Sequence, residues 1–378
     1  MRWWLVGPVS VLTLAARSGA GGQPAAVTTA HFALAEAGGE QAEAERALAL
    51  LERAYALLVG PTSVYGFPEP RDLPRYRGSP RQPVPVLGAP PPPDAPAVSP
   101  CPLCPWPPRD APGAVHLLLH LLQRGYTAFA DPWLTEGMAV WMESAAARIP
   151  PHGFVDTATP LPDMGAAAAH FWRFLGEWYT RETWSYDTIV GTDVFRRVLS
   201  ECHAAEGAGP PAGGAHQAQI MEALARAVRS LGETEDATFG DVFARWATLN
   251  GKRLGEACAQ EGPAPIGRPR VLGGTVRPWG IAYMALGPAL EYQDLSVAIE
   301  AVAGDPPALP SCQALVVGEL GPVRRRYVHA GHLAGALFVV PGDTLVLVVA
   351  GRDVEADFTA YVRPLAATPL ERPTSPTQ

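Results

Sequence analysis

Charge is scarce in this chain. Only 17% of its 378 residues are Asp, Glu, Lys or Arg, against a usual quarter or so, and the formal net charge is −8. A nucleic-acid partner would need a clustered basic face. The one dense basic run, Arg324-Arg325-Arg326, reads as an exposed loop or strand edge, so no nucleic-acid binding is expected. Long apolar runs are missing too. Beyond the N-terminus no segment carries the ~18 continuous apolar residues of a spanning helix, so no membrane span is expected and the mature protein should be soluble. There is no GxSxG, no GxxxxGK[ST] and no cysteine in a reactive context. Serine, cysteine and phosphate-loop chemistry therefore have no support.

Hydrophobic residues are plentiful at 48%, and the length suits two domains. The N-terminus reads as a signal peptide over residues 1–20. Arg2 supplies the positive region, Trp3 to Ala16 the short apolar region, and Ser18-Gly19-Ala20 a small-residue cleavage site. Gly7 and Pro8 break the apolar run, and no cysteine follows closely enough for a lipid anchor. A buried N-terminal strand is the alternative. The signal implies a secreted, periplasmic or cell-envelope protein, a setting that permits disulfides. Of the five cysteines, Cys101 and Cys104 form a CPLC pair in a proline-rich loop and suit a local bridge. Cys202 and Cys258 lie in neighbouring helical regions and could pair, leaving Cys312 over.

Along the chain, His31 to Leu34 reads as a strand. Gln41 to Val59 reads as a helix, with Ala47, Leu48, Leu51, Tyr55 and Leu58 at three- and four-residue spacing. Residues 60–113 are crowded with proline and read as a long loop or an eroded pair of strands. Helices are expected from about Ala114, from Thr135 as N-cap to about Arg148, and over Ala166–Tyr179, Thr192–Ala204 and His216–Leu231, with another opening at Thr238. Near residue 262 the texture changes. After a Pro/Gly linker, Ile281–Leu286, Leu295–Ala301, Ala314–Val317, Ala336–Val340, Thr344–Ala350 and Phe358–Val362 read as strands, with a tight turn at Pro341-Gly342-Asp343. Six or seven strands in about 100 residues suggest a β-sandwich. The expected fold class is α+β: a mostly helical domain over 27–260, a sandwich over 270–366 and a disordered tail over 367–378.

One segment carries chemistry. His116 and His120 stand four apart and so share one face of a helix, close enough for two imidazoles to hold one ion. Glu136 follows sixteen residues after His120, on the next helix, a standard place for a third ligand. The spacing of the histidines alone is weak, because nine histidines can produce it by accident. The surroundings add to it: HLLLHLLQ through Gln123, then WLTEGMAVW from Trp133 to Trp141. Together with HFWRFLGEWY (170–179) and TFGDVFARWA (238–247), these segments resemble the gluzincin-like, peptidase-MA type metallopeptidase family of secreted bacterial proteins. That family has a strand–helix start, a metal helix reading HExxHxxQ, a WLxEGxAxW helix and a C-terminal sandwich.

The resemblance implies a zincin-like helical domain and His116, His120 and Glu136 as ligands to zinc. It also locates a departure. Where the family has its catalytic glutamate this chain has Leu117, and losing a positioned general base costs about 10²–10⁴-fold. Glu143 lies two turns beyond Glu136, about 10 Å by helix rise. That makes it a poor substitute base and better suited to supporting a ligand or capping. His170 sits in an aromatic helix and reads as packing, although a ring near a metal could assist an oxyanion. His329 and His332 suit neither one helical face nor one strand face.

The expectation is an exported metallopeptidase-like protein, a pseudopeptidase with a retained or weakened zinc site and a cleft for a peptide or protein partner. An active zinc endopeptidase with a substitute base remains open, as does an envelope scaffold without metal. The sequence names no substrate and no oligomeric state.

Overall fold

A computed structural model of the chain describes residues 27–34, 41–60, 63, 65–75, 84–86, 108–147, 158–179, 192–206, 215–232, 238–261, 266, 268–302, 309–318, 324–328 and 331–365. The fold is α+β, with helices in the N-terminal half and antiparallel sheets in the C-terminal part. Two compact units emerge. One comprises Met1–Pro151 with Gly165–Ala237, the other His152–Met164 with Thr238–Gln378.

The first unit opens with a small sheet of β1 (Val27–Thr28), β2 (Phe32–Leu34) and β3 (Val84–Val86) in that order. β3 lies within the proline-rich stretch and pairs parallel to β2. Pro85 is tolerated there because β3 is an edge strand, where a missing donor costs least. Helix α1 (Gln41–Leu58) buries the expected stripe through Leu48, Leu51, Tyr55 and Leu58. The turn before β2 is tied to this helix. His31 Nδ1 stands 2.7 Å from Glu52 Oε2, and the imidazole stacks on Tyr55 at 3.9 Å.

Helices α2 (Ala111–Tyr126), α3 (Pro132–Ala146), α4 (Ala169–Trp178), α5 (Thr192–Glu206) and α6 (Ala215–Ser230) complete the unit. α2 is its centre and packs against α1, α3 and α5. The expected N-cap at Thr135 gives way to a start one turn earlier. Asp131 is the N-cap and Pro132 opens the helix, because a proline's fixed φ and missing N–H suit a first turn. Thr135 instead donates its hydroxyl back to the Asp131 carbonyl at 3.2 Å.

In the second unit, helix α7 (Phe239–Glu261) precedes eight strands: β4 (Arg270–Val276), β5 (Ile281–Leu286), β6 (Gln293–Val302), β7 (Ser311–Val317), β8 (Arg324–Val328), β9 (His332–Val339), β10 (Thr344–Ala350) and β11 (Ala356–Pro364). They form two four-stranded sheets, β5-β10-β7-β8 and β4-β11-β6-β9. Alternate residues of both sheets share one core, Leu295, Val297 and Ile299 from one and Leu345, Leu347 and Val349 from the other. β10 is buried along its whole length, because its second face is covered by α7. Gly251 and Gly255 let that helix approach. A Cβ on Gly255 would lie 2.6 Å from a Val317 methyl.

Contacts thus group α7 with the strands, where the sequence had suggested a helical domain running to residue 260. β4 and β8 are additional to the expected strands. Both are edge strands, and glycines in one and an arginine run in the other hide the usual strand pattern. The suggested Cys202–Cys258 pairing is corrected. Cys202 is a free thiol, fully buried on α5, and Cys312 is also free and buried. Among the described residues no helix is long and apolar enough to cross a membrane. The expected signal peptide, Cys101 and Cys104, most of the proline-rich stretch, the side chain of Cys258, His329 and the tail lie outside the described residues.

Candidate metal centre

α2 is apolar almost all round, and its described side chains from Gly113 to Gln123 are buried. Asp110 caps it by accepting from the Gly113 N–H at 2.9 Å, and Pro112 sits in the first turn. Three polar side chains therefore lie inside a hydrophobic helix: His116 and Gln123 at 1% exposure and His120 at 8%. Buried polar groups require partners, and these three find them in each other and in α3.

The two imidazoles meet Nε2 to Nε2 at 3.1 Å. Glu136 reaches across from α3 with Oε2 3.4 Å from His116 Nε2 and Oε1 3.4 Å from His120 Nε2. One atom from each of His116, His120 and Glu136 can be chosen so that all three lie within 4.8 Å of one another. The three residues expected from the sequence are brought together.

The outer nitrogens are also engaged. His116 Nδ1 is 2.8 Å from Glu143 Oε2, and His120 Nδ1 is 2.9 Å from Gln123 Oε1. A carboxylate oxygen and an amide oxygen only accept, so each Nδ1 is the donor. Rings that donate outward through Nδ1 present lone pairs inward at Nε2 when neutral. Two such lone pairs 3.1 Å apart, beside a carboxylate, repel unless a proton or a metal cation lies among them. Four-coordinate bonds of 2.0–2.2 Å place donors about 3.3–3.6 Å apart; the two carboxylate contacts at 3.4 Å fall in that range, and the Nε2–Nε2 contact at 3.1 Å is slightly shorter. The donor set fits a small divalent ion.

α3 is held in place by aromatic packing. Trp172 donates its indole N–H to the Trp133 carbonyl at 2.7 Å, and the two rings stack with centroids 6.2 Å apart. Gly137, beside Glu136, sits against Ala168 and Trp172, where a Cβ would come within 2.8 and 2.9 Å. The glycine of WLTEG is thus a close-approach residue. Leu117, where the resembled family carries its catalytic glutamate, is fully buried and offers no proton acceptor. Glu143 touches His116, in keeping with a supporting role. His170 lies on α4 outside the three-residue group, and His332 begins β9, exposed. What the sequence did not reveal is the contact of Gln123 with His120. Their three-residue spacing on one helix was the available signal.

No family model matches the chain, and no curated protein matches it. Among solved structures, PliG from Aeromonas hydrophila, a periplasmic lysozyme inhibitor of g-type lysozyme, is similar over 27% of this chain and 100% of its own, at 12% identity. The TM-score is 0.19, and a likeness of that size carries no argument about this chain.

Proposed function

We propose that this chain is an exported, metallopeptidase-like protein that holds zinc through His116, His120 and Glu136 but does not cleave peptides. In this reading it engages a peptide or protein partner instead. The observation that carries the reading is the convergence of three donors with both imidazoles anchored through Nδ1, beside a leucine at position 117. Zinc and a secreted or periplasmic location come from the resemblance of HLLLHLLQ and WLTEGMAVW to gluzincin-like enzymes and from the N-terminal segment.

Bound zinc would supply a Lewis acid for polarising a carbonyl. Hydrolysis also needs a group to take a proton from the attacking water, and Leu117 cannot. Glu143 does not replace it, because its carboxylate is committed to His116 Nδ1. The test is metal analysis of the purified protein alongside a Leu117→Glu variant, assayed on an unstructured peptide. Zinc in both proteins, with chelator-sensitive cleavage by the variant alone, supports the reading. Cleavage by the wild type contradicts the loss of activity, and failure of the wild type to bind zinc contradicts the metal site.

A further inference from the structure

We propose that Gln123 and Glu143 are positioning residues for the metal centre, and that Gln123 also locks the helix carrying two donors to the helix carrying the third. This rests on reading His116, His120 and Glu136 as metal ligands. An imidazole can bind an ion through either nitrogen, and the partner of the other nitrogen decides which. Here both decisions are made by side chains of known polarity. Glu143 can only accept, so His116 carries its proton at Nδ1.

For His120 the argument has one more step, because an amide can turn over. Gln123 Nε2 donates to the Thr135 carbonyl at 3.0 Å, and a carbonyl cannot donate. The amide oxygen therefore faces His120, and His120 also carries its proton at Nδ1. Thr135 immediately precedes Glu136 in the chain. One buried amide thus sets the orientation of the second ligand and fixes the α3 backbone next to the third. Glu143 comes from the same helix as Glu136, so α3 contacts His116 at both nitrogens.

The supports differ in kind: His116 has a carboxylate behind it and His120 a neutral amide. A carboxylate raises the basicity of the far nitrogen more, which makes His116 the stronger donor.

The test compares wild type with Glu143→Gln, Glu143→Leu and Gln123→Leu. Side-chain nitrogen NMR reads the Nδ1–H signals, and competition with a chromophoric chelator reads zinc affinity. Wild type is expected to show protected Nδ1–H signals for both histidines. Glu143→Leu should lose the His116 signal and Gln123→Leu the His120 signal, each weakening zinc about 10–100-fold. Glu143→Gln, which keeps an acceptor, should retain the signal and stay within a few-fold of wild type. Unchanged signals and affinity in Glu143→Leu overturn the proposal. Glu143 is partly exposed, so its variants decide the matter even if Gln123→Leu does not fold. A wild type with both signals but no zinc binding overturns the metal reading itself. Normal zinc binding in every variant overturns only the positioning role.

Discussion

Glu136 and Glu143 bracket one imidazole. Glu136 approaches His116 at Nε2, at 3.4 Å, and Glu143 approaches it at Nδ1, at 2.8 Å. Two carboxylates seven residues apart on α3 thus divide the two nitrogens of a ring that is almost wholly buried on α2. An ion held there links the two helices and stabilises the folded state by mass action, by about 2.7 kcal/mol when free zinc is 100 times its Kd. The thermal midpoint is expected to rise on adding zinc and to fall back on adding chelator. Calorimetry on wild type and Glu136→Gln checks this, and the variant should show little response.

Leu117→Glu should gain chelator-sensitive cleavage of an unstructured peptide, at least about 10²-fold above a near-inert wild type. Leu117 is fully buried, and an unpaired carboxylate costs stability there. Circular dichroism should therefore accompany the activity assay. A folded, zinc-loaded Leu117→Glu that remains inert would contradict the reading that position 117 is what separates this chain from an active peptidase.

Gly137→Ala should destabilise the protein by up to about 2 kcal/mol. The helix gains about 1 kcal/mol from replacing glycine, but overpacking costs about 1–3 kcal/mol, and the new methyl would meet both Ala168 and Trp172. Chemical denaturation measures the net sign. Because Gly137 adjoins Glu136, zinc affinity should fall with it.

The cysteine thiols set an alkaline limit. Burial pushes the Cys312 thiol up from 9.0 to about 12 and the Cys202 thiol up as well, burial again being the largest cause. A raised pKa in the folded state favours the neutral thiol, whereas the unfolded chain releases its proton nearer 9. The stability carried by Cys312 is therefore complete below pH 9 and is lost as pH rises through about 12, and that carried by Cys202 is lost in the same direction. Denaturation midpoints should fall between those values, and less steeply in Cys312→Ala. At pH 8, thiol reagents should leave both residues unmodified in the folded protein.

The sequence made the helices and most strands legible because their periodicities are regular. The stripe of α1 and the apolar runs of β5 and β10 appear where expected, with β5 and β10 residue for residue. β4 and β8 escaped because edge strands carry glycines and charges that mask the pattern. The grouping of α7 escaped because only the faces it covers on β7 and β10 show where it belongs. In the candidate metal centre, the histidine spacing taken with the resemblance of HLLLHLLQ and WLTEGMAVW pointed to His116, His120 and Glu136, which the structure brings together. The orientation of His116 depends on Glu143 from the neighbouring helix, which no local pattern encodes, whereas that of His120 depends on Gln123 three residues along the same helix. Gln123 was visible as part of a motif, but its bond to the Thr135 carbonyl was not.

The most direct measurement is zinc stoichiometry by elemental mass spectrometry, after reconstitution and desalting, on wild type and on Glu136→Ala. A site formed by His116, His120 and Glu136 gives about one ion per wild-type chain and far less in the variant, both proteins being folded. Equal zinc in the two proteins, or none in wild type, would contradict it.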